Sequence, residues 1–107
     1  MAVTADAAYD LNAAVAADVE PAVAAATGLR LVGFNARESD GTPAVATAQI
    51  VHGATVSGGD AVIQIELAAN ESSFQWLGEI GIPMASGISI DHVAGTFDLT
   101  LFTRTLS

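Results

Sequence analysis

The chain contains no cysteine and no lysine, and each absence excludes a class of function. Without cysteine, neither a disulfide framework nor a thiolate metal site can form. Its three arginines stand against twelve acidic residues, which gives a formal net charge of −9 at pH 7. Such a chain has no basic patch that could neutralise nucleic-acid phosphates or adsorb to an anionic membrane. We therefore predict no nucleic acid and no membrane among its partners.

Long apolar runs are missing as well. No stretch approaches the roughly twenty apolar residues of a membrane-spanning helix. The first ionisable side chain is Asp6, so the N-terminus also lacks the basic flank of a signal peptide. We expect neither kind of segment in these 107 residues.

Charged residues are scarce, at 14% of the chain against about 25% in an ordinary soluble domain. Hydrophobic residues make up 51%, and a domain of 107 residues has too much surface to bury them all. This composition predicts assembly with copies of the chain or with a larger partner. The alternative is that abundant alanine raises the apolar count without making an adhesive surface.

Beyond Gly28, short alternating runs are separated by turn residues. The clearest run is residues 61–67, because Ile63, Ile65 and Leu67 share one face of an extended chain. Short strands with a turn about every ten residues are typical of an all-β sandwich. We predict an antiparallel β-sandwich, Greek-key or jelly-roll-like in arrangement, with strands at 29–38, 44–52, 61–67 and 73–77 and within 87–102.

Residues 87–102 are the best-specified segment, and their pattern predicts a β-hairpin. Two alternating runs flank Ala94 and Gly95, and glycine supplies the positive φ that a two-residue turn requires. Phe102 lies on the outer side of the second run and is expected to meet the N-terminal arm or a neighbouring chain. The side chains that we expect to be buried are Ile88, Ile90, Phe97, Leu99 and Leu101.

Residues 1–27 are rich in alanine and valine and are predicted to form an N-terminal arm, distinct from a sandwich domain at 28–107. Four apolar residues recur at every fourth position, which would make a ridge on a helix. Pro21 opposes one continuous helix. We favour an arm with partial helix, and the alternative is an extended arm whose residues 21–26 enter the sheet as an edge strand. The ridge residues are Leu11, Val15, Val19 and Val23.

No motif indicates catalysis. Asp91 and His92 are adjacent, so on a strand they point to opposite faces and cannot act together. His52 and His92 lack metal-ligand spacing, and the sequence around Ser86 is not the Gly-x-Ser-x-Gly elbow of a hydrolase. We predict that the protein is not an enzyme and has no catalytic, cofactor-binding or metal-binding residues.

Phe74 and Trp76 share one strand face and permit two interpretations. Only 6% of the chain is aromatic, and a sandwich core needs large side chains, so we expect both to anchor the core. The alternative is a carbohydrate-binding β-sandwich module, in which Trp76 would lie in an exposed groove.

Several short motifs occur within residues 28–102. They are Leu31-Val-Gly-Phe-Asn-Ala-Arg37-Glu38-Ser39, Leu67-Ala-Ala-Asn-Glu71-Ser72 followed by Trp76, Gly81-Ile82, Ser86-Gly87-Ile88 and Val93-Ala94-Gly95-Thr96. In these motifs the chain resembles a group of small virion proteins of tailed bacteriophages, especially those of actinobacterial hosts, found among head and tail structural genes.

The resemblance implies a β-sandwich that decorates or cements a capsid shell in the virion, which is assembled in the host cytoplasm. The expected partners are the major capsid protein or other virion subunits, with further copies of the chain in a homo-oligomer. A head–tail connector, tail or fibre component is the alternative among structural proteins. We expect partner contacts through the arm ridge, through Phe102 and through arginine salt bridges. The residues are Leu11, Val15, Val19, Val23, Arg30, Arg37, Phe102 and Arg104.

Overall fold

The computed structural model describes residues 7–15, 18–39, 44–78 and 80–105, which contain nine β-strands and no helix. The described part of the chain accordingly has no helix of the length and apolar character that crossing a membrane requires. The strands are β1 (Ala7–Val15), β2 (Val19–Val23), β3 (Leu29–Glu38), β4 (Ala46–His52), β5 (Asp60–Leu67), β6 (Ser72–Trp76), β7 (Ile82–Pro83), β8 (Ile88–Ala94) and β9 (Phe97–Thr105).

The strands form two antiparallel sheets. Sheet A has the order β1-β9-β3-β6, and the short β7 pairs with β3 along the same edge as β6. Sheet B has the order β2-β8-β4-β5. Buried residues from both sheets make up one hydrophobic core. The all-β sandwich predicted from the sequence is therefore confirmed.

The strand pairing follows the wrapped hairpin of a jelly roll. Strands pair from the ends of the chain inwards: β1 with β9, β2 with β8, β3 with β6 and β7, and β4 with β5. Pairing of β3 with β9 and of β4 with β8 then completes each sheet. Most connections cross from one sheet to the other, as expected for a jelly roll built from two Greek keys.

The core lies between the sheets and receives alternate side chains from each strand. The five side chains of residues 87–102 that were expected to be buried are all 0% exposed, so that prediction is confirmed. Full burial of an aliphatic or phenylalanine side chain is worth roughly 1.5–3 kcal/mol. These residues are Ile88, Ile90, Phe97, Leu99 and Leu101.

The predicted hairpin in residues 87–102 is wrong, because β8 and β9 belong to different sheets. β8 lies between β2 and β4, and β9 lies between β1 and β3. An alternating pattern determines which side chains face the core but not which strand lies alongside. A hairpin and a corner between sheets bury the same side chains, so the pattern could not distinguish them.

The described part of residues 1–27 forms strands. β1 is the edge strand of sheet A and β2 is the edge strand of sheet B. The extended alternative therefore describes these residues, and the partial helix is not found in them. Pro21 is accommodated in β2 because a strand at a sheet edge need not donate on its outer side.

Candidate functional site

Three aromatic side chains form a patch on the outer face of sheet A. This aromatic patch consists of Phe74, Trp76 and Phe102. Trp76 and Phe102 both lie opposite Gly33 of the central strand β3. The Phe74 and Phe102 rings meet edge to face, with centroids 6.0 Å apart. Because Phe74 is 61% exposed and Trp76 47% exposed, the patch offers apolar surface to solvent.

Gly33 allows the indole of Trp76 to approach β3 closely. A Cβ atom on Gly33 would lie 3.0 Å from Trp76 Cε3 and 2.8 Å from the carbonyl oxygen of Gln75. A side chain at this position would therefore push β6 away from β3. The absence of a side chain at Gly33 is part of what positions the aromatic patch.

The expectation that Phe74 and Trp76 anchor the core is wrong. Gln75 pairs with Phe34, which is a buried core residue, so the inner positions of β6 are Ser73 and Gln75. The two aromatic residues consequently occupy the outer positions. The sequence shows that the polar and aromatic pairs point in opposite directions, but only the register with β3 decides which pair faces inwards.

All three arginines of the chain also belong to the outer face of sheet A. Arg30 and Arg104 are opposite each other on β3 and β9. Arg37 forms an ion pair with Asp98, with Nη2 and Oδ2 3.2 Å apart. The Arg37 side chain is 64% exposed, so this pair contributes only about 0–1 kcal/mol to stability. The cationic side chains of an acidic protein are thus collected beside its exposed aromatic residues.

The predicted partner residues fall into two groups. Arg30, Arg37, Phe102 and Arg104 share the outer face of sheet A. Val23 is 3% exposed and belongs to the core, so its side chain has little surface left for a partner, and the predicted contact stays a prediction. Residues four apart share a face on a strand as well as on a helix, and on β2 that face is turned towards the core.

The remaining members of the predicted arm ridge also pair within the chain. Val19 is half-buried and packs against the core. The backbones of Leu11 and Val15 pair with Leu99 and Phe97 of β9, and the side chains of these two ridge residues lie outside the described part of the structure. Among the residues whose side chains the structure describes, the strongest candidate surface therefore lies on sheet A.

A cleft of about 400 Å³ lies between β5 and β6, the edge strands at one side of the two sheets. Its apolar lining is Phe34 and Ile65, which are 3% and 4% exposed. The polar lining comes from two residues on each edge strand, of which Gln64 and Glu66 occupy outer positions at the edge of sheet B, whereas Ser73 and Gln75 occupy inner positions of sheet A. Within it, Gln64 Nε2 donates a 2.9 Å hydrogen bond to Glu66 Oε1. The polar residues are Gln64, Glu66, Ser73 and Gln75.

The two histidines make structural contacts. His92 stacks on Phe97, with ring centroids 6.3 Å apart, and its Nε2 lies 2.6 Å from the carbonyl oxygen of Gly95. His52 Nε2 accepts a 3.2 Å hydrogen bond from the backbone N–H of Ser86. Among the residues that the structure describes, no three His, Asp or Glu side chains are grouped so that they could hold a metal ion.

No protein-family model, curated protein or solved structure matches this chain. The resemblance of residues 28–102 to phage virion proteins therefore stays a prediction. The functional proposals depend on the chemistry of the two surface features, the aromatic patch with its neighbouring arginines and the cleft between β5 and β6.

Proposed function

We propose that the protein is a non-enzymatic structural subunit of a tailed-phage particle, and specifically a capsid decoration protein that binds the outer shell. The observation that carries this proposal is the outer face of sheet A, where the aromatic patch and the arginines lie together. Aromatic residues and arginine are the types enriched at the centres of protein–protein interfaces. This face thus has the composition of a docking surface.

Burial of the exposed aromatic side chains would drive docking. A phenylalanine gains roughly 1.5–3 kcal/mol on full burial, and Phe74 has 61% of its surface still to bury. The guanidinium groups can form charge-assisted hydrogen bonds with carboxylates of the shell. A subunit that binds only the assembled shell stabilises it by mass action.

The distribution of acidic residues supports the same orientation. Glu66 of β5 and Asp91 of β8 occupy outer positions of sheet B, on the side of the molecule opposite the arginines. With sheet A on the shell, the acidic side of the molecule faces solvent. A surface of one charge sign keeps particles apart in solution.

The fold is compatible with this role. Jelly rolls occur in viral capsid domains and also in lectins, and a fold alone does not determine function. The resemblance in residues 28–102 is what favours a virion protein. The excess of apolar residues, which predicts assembly, agrees with it.

Cosedimentation with empty shells of the parent phage tests the proposal. We expect the purified chain to pellet with the shells, and the double variant Phe74→Ser, Trp76→Ser to remain in the supernatant. Val93→Ser is the matched control, because Val93 is 58% exposed but belongs to β8 of sheet B. The proposal is wrong if the native chain does not bind, or if the double variant binds as well as the control.

Cryo-electron microscopy of the particle distinguishes a decoration protein from a connector, tail or fibre component. A decoration protein would be present in many copies over the icosahedral shell with sheet A against the capsid subunits. Density confined to the portal, tail or fibres would instead assign the alternative structural role.

A further inference from the structure

We propose that the cleft between β5 and β6 is a binding site for a neutral saccharide. This inference is independent of docking to a shell, because the cleft and the aromatic patch lie on opposite sides of β6. Ser73 and Gln75 line the cleft, whereas Phe74 and Trp76 point to the outer face of sheet A. The carbohydrate alternative drawn from the sequence required Trp76 in a groove, but Trp76 is not among the residues that line this cleft.

The polar lining matches the hydroxyl groups of a sugar. Gln64 and Gln75 each present an amide donor and an amide acceptor, Ser73 presents a hydroxyl, and Glu66 presents a carboxylate. Neighbouring sugar hydroxyls are likewise donors and acceptors, so they can pair with these groups. The lining contains no Arg, Lys or His, and Glu66 would repel a negatively charged ligand. The chemistry therefore selects a neutral polyhydroxylated ligand over a phosphate, sulfate or carboxylate.

The size of the cleft suits a small ligand. Phe34 and Ile65 lie beneath the cleft and are 3% and 4% exposed, so the surface that the cleft offers is mainly polar. Small-ligand sites measure roughly 300–1,000 Å³. The cleft volume, about 400 Å³, lies within that range.

The walls of the cleft are held in place before a ligand arrives. Gln64 and Glu66 are hydrogen-bonded to each other, and each wall is a strand paired along its length. The turn that joins β5 to β6 is attached to the end of β3, because Glu38 Oε1 accepts the N–H of Asn70 at 2.8 Å. Binding to a preformed site loses less affinity to the ordering of side chains and loops.

Two-dimensional ¹⁵N–¹H NMR of the full chain tests the inference. The probes are neutral monosaccharides, namely glucose, galactose, mannose and N-acetylglucosamine, with glucuronate and sialic acid as anionic counterparts. We expect a neutral sugar to shift the amide signals of the four polar lining residues in a saturable manner. We also expect the anionic sugars to cause smaller shifts at the same concentration.

Variants on alternate positions of β6 assign the site. Gln75→Ala should weaken the neutral-sugar affinity at least about fivefold, because it removes hydrogen bonds to the ligand. Phe74→Ser, one position away on the opposite face, should leave the affinity unchanged. Gln64→Ala is a second variant on the other wall, and it should weaken binding as Gln75→Ala does.

Three results would overturn the proposal. One is the absence of saturable shifts with every neutral sugar, and another is equal affinity in Gln75→Ala, Gln64→Ala and the native chain. The third is that the lining signals shift with protein concentration and not with sugar. That result would show that the open edges of β5 and β6 pair with a second copy of the chain instead. Loss of shell binding in the aromatic double variant with retained sugar binding would confirm that the two surfaces are separate.

Discussion

Glu38 is a buried carboxylate that ties the β5–β6 turn to the end of β3. The residue is 5% exposed, and its Oε1 accepts the backbone N–H of Asn70. Its own N–H donates a 2.9 Å hydrogen bond to the carbonyl oxygen of Glu71. A buried carboxyl group is tolerated only where polar partners surround it. Glu38 therefore couples the core to the turn at one end of the cleft.

Removal of this carboxylate should destabilise the fold. We expect Glu38→Ala to lower the free energy of unfolding by about 2–3 kcal/mol, because it removes a part-buried hydrogen bond and leaves the Asn70 N–H without its acceptor. Glu38→Gln keeps an acceptor and should cost less. The exposed Glu66→Ala is the control and should change stability by no more than about 0.5 kcal/mol. Urea unfolding measures all three, and equal stability of Glu38→Ala and Glu66→Ala would contradict the assigned role.

The sequence predicted core residues well where alternation was strict and both neighbours of a strand were present. Ile88, Ile90 and Leu99 are examples, since a central strand exposes neither edge. The same logic failed for Phe74 and Trp76, because β6 is an edge strand whose inner side borders the cleft. On such a strand, a large apolar side chain does not necessarily point towards the core.

A bulge in β3 shows why strand limits were easier to predict than strand faces. The predicted strand 29–38 coincides with β3, but the register with β9 shifts between Leu31 and Gly33. The inner positions change from odd to even numbers there, which brings Phe34 and Glu38 to the core side. Val32, at the shift, is fully buried, and the carbonyl oxygen of Val32 accepts the N–H of Leu77 at 2.7 Å. The bulge depends on contacts with segments far along the chain, and so a local pattern could not reveal it.

The corner between β8 and β9 depends on a glycine at position 95. Gly95 has φ +77°, and a Cβ atom there would lie 2.5 Å from the carbonyl oxygen of Val45 and 2.7 Å from Cα of Ala46. The sequence correctly indicated a turn residue with positive φ. It did not show that the turn passes over the start of β4 and so carries the chain into the other sheet.

Gly95→Ala should therefore be much more destabilising than an alanine at an open glycine. Gly78 is the matched control, because its φ is also positive, at +95°, and among the described residues no heavy atom outside Gly78 and its two chain neighbours lies within 4 Å of the added Cβ. We expect Gly78→Ala to cost about 1–2 kcal/mol from backbone strain alone. Gly95→Ala should cost about 1–3 kcal/mol more through overpacking. Thermal unfolding measures the difference. Equal costs would mean that the corner between β8 and β9 accommodates the added methyl group without further loss of stability.

The whole molecule is a single wrapped hairpin, so strands from opposite ends of the chain pair with each other. β1 pairs with β9 and β2 pairs with β8, which joins the N-terminal residues to both sheets. The sandwich class was predictable from local alternation and turn spacing, whereas β1 and β7 lie outside every strand that the sequence predicted. The pairing order was not, because contacts between residues so far apart in sequence leave no local signal. The predicted division into an arm at 1–27 and a sandwich domain at 28–107 did not anticipate that β1 and β2 pair with strands of the sandwich.

This architecture predicts that the N-terminal segment is needed for folding. Deletion of residues 1–27 removes Val23 from the core and uncovers the backbone edges of β8 and β9. We expect it to lower the free energy of unfolding by several kcal/mol, a large part of the about 5–15 kcal/mol of a typical domain. Deletion of residues 1–17 removes β1 alone and should cost less. Urea unfolding followed by circular dichroism measures the series. If the 1–27 deletion were as stable as the full chain, β2 would not contribute to the core. If the 1–27 deletion is unfolded, its failure to bind shells would not test docking. Only the sheet A variants test docking.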